Sequence, residues 1–315
     1  MKKTIKKLSP DVVFAVNADA AAACAHAWQS LNSPAQKVFE LHGVESEEAI
    51  ASGNVQRDAP AHRQRVEIES RALEWADFVV APTAHASSWG GDRTSNDAQW
   101  LDLPTLSDIA IDDDQLRRDR QFTRTRLGWN KNRIALYVGG MSPWQQPDLM
   151  MKTFSSLYKT DDSWRLLVAT QDADSAARIA ASHAIPEALV AIETHPHAKI
   201  AEIASAGDIA FLLRKPHLMN LCASPTKFAE YLEAGVPVAI SNSLPTFSAL
   251  CRSGRVGVEI QANAGPQEIA NEIASFVDGN SRAGSSQLCR QESKDKFRMD
   301  RAVETYNQIL ERAAR

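Results

Sequence analysis

The sequence has little of several features that would quickly place it in a protein class. It contains only four cysteines among 315 residues, Cys24, Cys222, Cys251 and Cys289, and none forms a C-x-x-C pair. Scattered cysteines of this kind indicate reduced thiols in the cytoplasm rather than a disulfide framework. Positive charge is not in excess either. The chain has 35 lysines and arginines against 39 aspartates and glutamates, a net charge of −4, which argues against a nucleic-acid-binding protein.

Membrane spans and common active-site loops are also absent from the sequence. No run of 18 apolar residues exists, so no membrane span is predicted, and no G-x-S-x-G, Walker or G-x-G-x-x-G motif is present. The amino-terminal stretch superficially resembles a signal peptide, but Pro10, Asp11 and Asn17 interrupt its apolar part. A strand followed by an alanine-rich helix is the better interpretation, so we expect a cytoplasmic protein.

A cluster of lysines near the amino terminus leaves two alternatives open. Lys2, Lys3, Lys6 and Lys7 could contact anionic lipid, which would place the protein peripherally at the inner face of a membrane. The other alternative is a solvated helix end, which is the commoner explanation of such a cluster.

The first part of the chain, residues 1–130, alternates short apolar runs with helical periodicity. This pattern is typical of βαβ units around a parallel sheet, and the 44% of apolar residues in the whole chain suffice for a sizeable core. Strands are predicted at residues 12–16, 37–41 and 78–81, helices at residues 20–31, 64–75 and 114–127, an acidic loop after residue 43, and a loop-rich stretch over residues 83–113.

The second part, residues 131–290, has a more regular pattern that predicts a doubly wound sheet. Residues 279–286 are rich in glycine and serine and predict a linker, and residues 294–314 predict a final amphipathic helix within a segment 291–315. The predicted strands are residues 134–138, 165–169, 189–192, 209–213, 238–240 and 256–260, and the predicted helices are residues 147–158, 173–182, 198–206, 225–234, 244–253 and 266–278.

The stretch SPTKFAEYLEAGVPVAIS, residues 224–241, predicts a helix followed by a buried strand. Ser224 is a suitable N-cap and Pro225 fits the first helical position, while Gly235 and Pro237 end the helix. Its apolar stripe consists of Phe228, Tyr231 and Leu232.

The opposite face of this helix carries Thr226, Lys227 and Glu230. Lys227 lies in the first turn, where the helix dipole disfavours a cation, so a bound anion such as a phosphate would explain it. Glu230 could then accept hydrogen bonds from the hydroxyls of a ribose. The alternative is a surface ion pair between Lys227 and Glu230, worth roughly 0.3 kcal/mol.

Three further candidate positions follow predicted strands, at the sheet edge where open α/β proteins bind ligands. Gly139 and Gly140 lack Cβ atoms that would keep a phosphate from the backbone, although paired glycines also occur in ordinary turns. Arg214 could bind a diphosphate or simply end its strand. His42 is placed near an acceptor, or is a histidine satisfied by neighbouring backbone.

Two short motifs suggest metal binding but are better explained without it. Asp172 and Asp174 form a D-x-D at a predicted helix start, where aspartates cap the helix and favour its dipole. His195 and His197 lack the spacing of a helical metal site, and no cysteine is near them. We therefore expect no metal.

The stretch 224–241 resembles the nucleotide-sugar signature S-P-x-K-x-x-E-Y-L-x-x-G-x-P-V of GT-B-fold glycosyltransferases, family 4-like or group 1. This resemblance implies an α/β fold with two Rossmann-like doubly wound domains, at residues 1–130 and 131–290, and a carboxy-terminal helix that returns to the first. It also implies transfer of a hexose from a nucleotide-diphosphate sugar, with retention and without a cofactor, to a glycan or lipid-linked acceptor in cell-surface polysaccharide or glycoconjugate synthesis. In this family the lysine and the helix start, here Ser224, Thr226 and Lys227, meet the diphosphate, and the glutamate, here Glu230, meets the ribose. The resemblance also implies that the loop of Gly139 and Gly140 and the strand-end Arg214 meet the diphosphate. The catalytic residues that it implies are Arg214, Lys227 and, on the acceptor side, His42.

The sequence departs from the family pattern in places. The loop GGMSPWQQ lacks the usual arginine and lysine, which Trp144 and Gln145 could replace by stacking and hydrogen bonding, and Cys222 occupies the first position of the E-x7-E motif. The chain also begins at what resembles a later helix and strand of the first domain, so we expect that domain to be incomplete or completed by a protein partner. A non-catalytic or partner-dependent nucleotide-sugar-binding protein and a sugar-nucleotide epimerase are the alternatives.

Overall fold

The computed structural model describes residues 1–31, 33–107 and 111–313, and its contacts divide the chain into two compact units. The first unit comprises Met1–Thr105, His217–Ser224 and Met299–Arg315, and the second comprises Leu106–Pro216 and Pro225–Arg298. This division differs from the predicted boundaries at residues 130 and 290. The second unit begins at Leu106, earlier than the predicted residue 131. The segment His217–Ser224, which lies between the two stretches of the second unit in sequence, belongs to the first unit.

The first unit contains a four-stranded parallel sheet. Its strands are β1 (Val12–Val16), β2 (Gln36–Glu40), β3 (Phe78–Ala81) and β4 (Gln99–Asp102), in the order β1-β2-β3-β4. The first three strands were predicted and β4 was not. The helices of this unit are Lys2–Leu8, Ala18–Trp28, Glu45–Ala51, Pro60–Trp75, Ala84–Gly91, Leu218–Cys222 and Asp300–Ala313.

Side-chain alternation along these strands produces a core on each face of the sheet. Val38 and Val80 pack with Ile309 of the last helix on one face. Phe39 and Val79 lie in a separate apolar cluster on the other face. Neighbouring residues of a strand point to opposite faces, so both faces of the predicted parallel sheet are covered.

Two segments of the first unit that were predicted as loops are helices. The acidic stretch after Gly43 forms the helix Glu45–Ala51, whose first turn holds three glutamates that favour the positive end of the helix dipole. The helix Ala84–Gly91 lies in the stretch predicted to be loop-rich. It is capped by Thr83, whose Oγ1 accepts a hydrogen bond of 3.1 Å from the Ala86 N–H.

The second unit contains a six-stranded parallel sheet, and all six strands were predicted. They are β5 (Arg133–Val138), β6 (Trp164–Ala169), β7 (Val190–Glu193), β8 (Ile209–Leu212), β9 (Val238–Ser241) and β10 (Gly257–Ile260). The order β10-β9-β8-β5-β6-β7 is that of a doubly wound sheet, in which the chain first builds towards one edge and then, from β8, towards the other. The two parallel sheets confirm the predicted α/β class.

The helices of the second unit follow the predicted alternation until residue 279, after which the prediction is wrong. Residues 279–286 are not a linker, because the helix Arg282–Lys296 starts there, capped by Ser281 Oγ. The single helix predicted over residues 294–314 is two helices that break at Phe297, whose ring packs against Phe228 and Phe247. The helices of this unit are Asp113–Arg126, Pro147–Thr160, Ala173–Ser182, Ile200–Ala204, Thr226–Glu233, Pro245–Cys251, Pro266–Gly279 and Arg282–Lys296.

Within the described ranges, none of the helices combines the length and apolar character needed to cross a membrane.

Candidate functional site

The candidate site lies in the second unit, where β5 and β8 are neighbours in the sheet. The strand order reverses between these two strands, and doubly wound sheets bind ligands at the carboxyl ends of strands at such a point. Gly139 directly follows β5, and Arg214 lies two residues after the end of β8. Two of the predicted positions are therefore brought to the same edge of the sheet.

The residues Gly139, Gly140 and Met141, here named the glycine loop, leave β5 in a conformation that requires glycine. Gly139 has φ +130°, in the region that side chains disfavour. The Met141 N–H donates a hydrogen bond of 2.9 Å to Asp172 Oδ2. Asp172 was predicted to cap the helix Ala173–Ser182 with its side chain, but its carboxylate makes no cap hydrogen bond and holds the glycine loop instead.

The helix Thr226–Glu233, here named the signature helix, begins one residue later than predicted. Pro225 occupies the N-cap position, so the predicted N-cap role of Ser224 is wrong. Ser224 belongs to the first unit, where its Oγ accepts a hydrogen bond of 2.7 Å from the Thr105 N–H. Thr226 is exposed at the helix start, and its role in binding the donor stays a prediction.

The apolar stripe of the signature helix attaches it to the sheet. Phe228, Tyr231 and Leu232 are fully buried, as their spacing predicted. The Tyr231 hydroxyl accepts a hydrogen bond of 2.8 Å from the Val138 N–H at the end of β5. The helix is thereby fixed against the strand that leads into the glycine loop.

Lys227 points from the signature helix towards the glycine loop. Its Nζ donates to Gln145 Oε1 and, over 3.2 Å, to the Tyr137 hydroxyl, and it lies 4.7 Å from the centre of the Tyr137 ring. No carboxylate of the described residues forms an ion pair with it, so the alternative pairing with Glu230 is not formed. Burial, and then the nearby Arg214 charge, lower the pKa of Lys227 to about 7.

Arg214 is the second cation at this edge, and it is only 8% exposed. Its backbone is fixed at both ends, because the N–H donates to Ser241 Oγ over 3.0 Å and the carbonyl accepts from Ser243 Oγ over 2.9 Å. Its guanidinium makes no hydrogen bond or ion pair with any residue in the described ranges. Burial lowers the pKa of Arg214, so the folded protein holds this charge at an energetic cost.

Glu230 lies one turn along the signature helix and has a partner that the sequence did not suggest. Its side chain is 8% exposed, and Oε1 lies 3.0 Å from Nε2 of His197, a histidine that is 65% exposed. His197 was considered only as part of a doubtful metal motif, and its companion His195 contacts Glu193 instead, over 2.8 Å. Among the described residues, no group of three or more histidines, cysteines, aspartates or glutamates could hold a metal ion.

His42 is the one predicted catalytic residue that lies in the first unit. It follows β2, as predicted, and its side chain is 66% exposed, with Nε2 3.5 Å from Glu40 Oε2. Its catalytic role stays a prediction. Of the predicted donor-site residues, Ser224 also belongs to the first unit, and the others lie in the second unit: Gly139, Gly140, Arg214, Thr226, Lys227 and Glu230.

The family comparison covers more than half of the chain. Residues 119–295 match the model of a family described as glycosyl transferases group 1. The matched range includes the glycine loop, Arg214 and the signature helix. A comparison with curated proteins finds no match.

Solved structures of other proteins resemble the whole chain. Anabaena HepE in complex with UDP matches with a TM-score of 0.70 and 15% identity, over 99% of this chain and 81% of that protein. Sucrose-phosphate synthase from Thermosynechococcus elongatus matches with a TM-score of 0.74 and 15% identity, over 99% and 75% of the two chains. A glycosyltransferase from Rickettsia africae matches with a TM-score of 0.71 and 13% identity, over 100% and 79%. These similarities confirm the GT-B fold, while the expected incompleteness of the first domain stays a prediction.

Proposed function

Because the chain belongs to the family of group 1 glycosyl transferases, we propose that this glycosyltransferase takes its sugar from a nucleotide-diphosphate donor bound at the glycine loop. The observation that carries the proposal is the pair of cations at this edge of the sheet. Lys227 and Arg214 lie close enough for Arg214 to lower the pKa of Lys227, and neither has an anionic partner among the described residues. A diphosphate supplies the negative charge that this arrangement lacks.

The same cations explain how the reaction would be accelerated. As the bond between sugar and diphosphate breaks, negative charge grows on the departing phosphate oxygens. Lys227, Arg214 and the free N–H groups at the start of the signature helix would stabilise that charge, with Gly139 and Gly140 leaving room for it. Because two cations already compensate the leaving group, the proposal includes no metal or other cofactor.

Glu230 is placed to recognise the nucleoside part of the donor. Its carboxylate lies one helical turn beyond Lys227, and a carboxylate can accept hydrogen bonds from both hydroxyls of a ribose. His197 contacts the same carboxylate in the free protein and would have to share it. Anabaena HepE has been solved with UDP and with UDP-glucose, which supports a uridine nucleotide as the first donor to test.

For the acceptor we propose a hydroxyl of a glycan or a lipid-linked sugar, in cell-surface polysaccharide or glycoconjugate synthesis, with retention at the anomeric carbon. Exposed lysines on the helix Lys2–Leu8 support a peripheral contact with anionic lipid, where such acceptors occur. His42 is the candidate acceptor-side residue, and a partner that completes the first domain stays a prediction.

Calorimetric titration with UDP and with GDP tests the donor site. We expect Lys227→Ala and Arg214→Ala each to weaken binding about 10- to 100-fold, because a hydrogen bond to a charged group contributes about 1.5–3 kcal/mol. Lys159→Ala is the matched control, since Lys159 is an exposed lysine in the last turn of the helix Pro147–Thr160. Wild-type protein that binds neither nucleotide would contradict the proposal.

Turnover of the nucleotide sugar that corresponds to the tighter nucleotide then tests the reaction. Release of free nucleotide diphosphate supports transfer, whereas an isomerised donor would indicate an epimerase. The configuration of the product's anomeric carbon, read by NMR, decides between retention and inversion.

A further inference from the structure

Gln145 is a buried residue that connects the glycine loop to Lys227. It ends a short 3₁₀ turn, Pro143–Gln145, and is 9% exposed. Its Oε1 accepts hydrogen bonds from the Tyr137 hydroxyl, over 2.7 Å, and from Lys227 Nζ. On the other side of the amide, Nε2 lies 3.5 Å from the position that a Cβ on Gly140 would occupy.

The surroundings of Lys227 leave the Gln145 amide as a main source of stabilisation for the protonated Lys227 side chain. The positive charge of Arg214 repels the Lys227 ammonium. The carboxylate of Glu230 attracts it, but that carboxylate is already in contact with His197. The acceptors that reach Nζ within the described ranges are therefore neutral, Gln145 and Tyr137. The Tyr137 hydroxyl also lies 2.5 Å from the Gly140 carbonyl, to which it can donate its proton. The amide oxygen of Gln145 carries no proton and can only accept, so it is the more dedicated acceptor for Lys227.

We propose that Gln145 is a positioning residue for the donor, because it holds the Lys227 ammonium beside the glycine loop and keeps it protonated until the diphosphate binds. The inference rests on the proposed function, in which Lys227 binds that diphosphate. An ammonium has three N–H donors, and Gln145 and Tyr137 use two of them. The third remains for a phosphate oxygen, so binding the donor does not require the amide to be released.

A titration of Lys227 in the nucleotide-free protein tests the contact directly. The pKa is read from the NMR signal of the Lys227 side chain, assigned by its loss in Lys227→Arg. Gln145→Met keeps the shape but removes the acceptor, so we expect the pKa of Lys227 to fall by about one unit from its value of about 7. Gln145→Glu supplies a carboxylate and should raise that pKa.

Affinity for UDP, measured as a function of pH, tests the consequence for the donor. A diphosphate favours the protonated form of Lys227, so wild-type affinity should fall as the pH rises through about 7. Gln145→Met should match the wild type below both pKa values and bind about tenfold more weakly above them, since one pKa unit is a factor of ten. Gln145→Glu should bind more weakly at about pH 6, where Lys227 is protonated in both proteins and the added carboxylate repels the diphosphate, and its affinity should fall less steeply than that of the wild type as the pH rises.

Gln146→Met is the matched control, since Gln146 is the next residue and its buried Nε2 has no hydrogen-bond partner among the described residues. It should leave both readouts unchanged. An unchanged pKa of Lys227 in Gln145→Met would overturn the proposal, and so would a loss of affinity that is equal at every pH, which would indicate packing alone. If the wild type binds neither UDP nor GDP, the proposed function fails, and the donor role of Gln145 fails with it. The titration of the nucleotide-free protein still reports whether Gln145 keeps Lys227 protonated.

Discussion

At the scale of single residues, Gly139 and Lys227 share one small volume. A Cβ built on Gly139 would overlap Cε and Nζ of Lys227, and the φ of +130° at Gly139 is itself unfavourable for any side chain. The lysine can therefore reach the loop only because this residue is a glycine. The family resemblance assigned Gly139 and Lys227 to the same diphosphate, but the space they share is visible only in the structure.

We expect Gly139→Ala to weaken UDP binding at least about tenfold, because the new methyl group displaces a charge that contributes about 1.5–3 kcal/mol. Gly128→Ala is the control, since Gly128 also has a positive φ, +73°, but a Cβ there would meet nothing within 4 Å. Both variants should lose about 1 kcal/mol of folding stability through backbone strain. Calorimetry and urea unfolding separate the two effects. Equal nucleotide affinity in the two variants would show that the overlap with Lys227 is unimportant.

At the scale of secondary-structure elements, one hydroxyl group adds a hydrogen bond between the signature helix and β5 to the packing of the helix's apolar stripe. The Tyr231 hydroxyl accepts the Val138 N–H, and both groups are buried. A backbone N–H at the end of a parallel strand has no further strand residue to pair with, so a side chain must satisfy it. This hydrogen bond places Lys227, one turn earlier on the helix, opposite the glycine loop.

Tyr231→Phe removes this acceptor without changing the shape of the ring. We expect a loss of about 1–3 kcal/mol in the free energy of unfolding, the cost of leaving a buried N–H unsatisfied. Tyr158→Phe provides the comparison, because Tyr158 is partly buried against Phe154 and its hydroxyl has no hydrogen bond to a described residue. Urea unfolding of both variants measures the difference. A Tyr231→Phe variant as stable as Tyr158→Phe would mean that water or a backbone shift replaces the hydrogen bond.

Elements that bury continuous apolar runs were predicted well, and those that depend on distant partners were not. All six strands of the second unit were predicted because buried parallel strands are apolar throughout. The helix Arg282–Lys296 was missed because glycine and serine in its first turn have low helix propensity. Its stability comes from contacts such as Arg290 with Glu233, 57 residues away, where Arg290 donates to both the backbone carbonyl and the carboxylate.

The site itself divides in the same way. Strand ends and helix spacing brought Gly139, Arg214 and Lys227 together, because these patterns are local and the fold class fixes where they meet. The contacts of Gln145 with Lys227 and of His197 with Glu230 span 82 and 33 residues, and no sequence pattern marks them. The residues that hold the functional side chains are therefore the part that only the structure supplies.

At the scale of the whole molecule, one short segment belongs to the first unit although the residues before and after it in sequence belong to the second. Residues His217–Ser224 lie in the first unit, between two long stretches of the second. Within the first unit, the Thr83 hydroxyl donates to the Cys222 carbonyl over 3.2 Å, and Thr105 contacts both the side chain and the carbonyl of Ser224. No change of composition marks these boundaries, so the sequence prediction divided the chain only at residues 130 and 290 and kept this segment within the second domain.

The four cysteines provide a test of this division. Cys24 and Cys222 are buried in the first unit, and Cys251 and Cys289 are buried in the second. Burial raises the pKa of all four thiols, that of Cys222 to about 11 and that of Cys289 to about 12. A buried, protonated thiol is a poor nucleophile, so we expect no alkylation of the folded protein by a brief pulse of iodoacetamide.

Increasing urea should expose the cysteines in two pairs. The first unit has four strands, and its edge strand β1 leaves Phe14 and Val16 exposed, whereas the second unit has six strands around a larger core. We therefore expect Cys24 and Cys222 to react together at lower urea than Cys251 and Cys289, since the unit that buries less apolar surface is the less stable one. Peptide mass spectrometry after each pulse assigns the labelled residue, and labelling of the fully unfolded chain calibrates the four sites. If Cys222 instead becomes reactive with Cys251 and Cys289, the segment His217–Ser224 unfolds with the second unit, and the division of the chain at residues 216 and 225 is wrong.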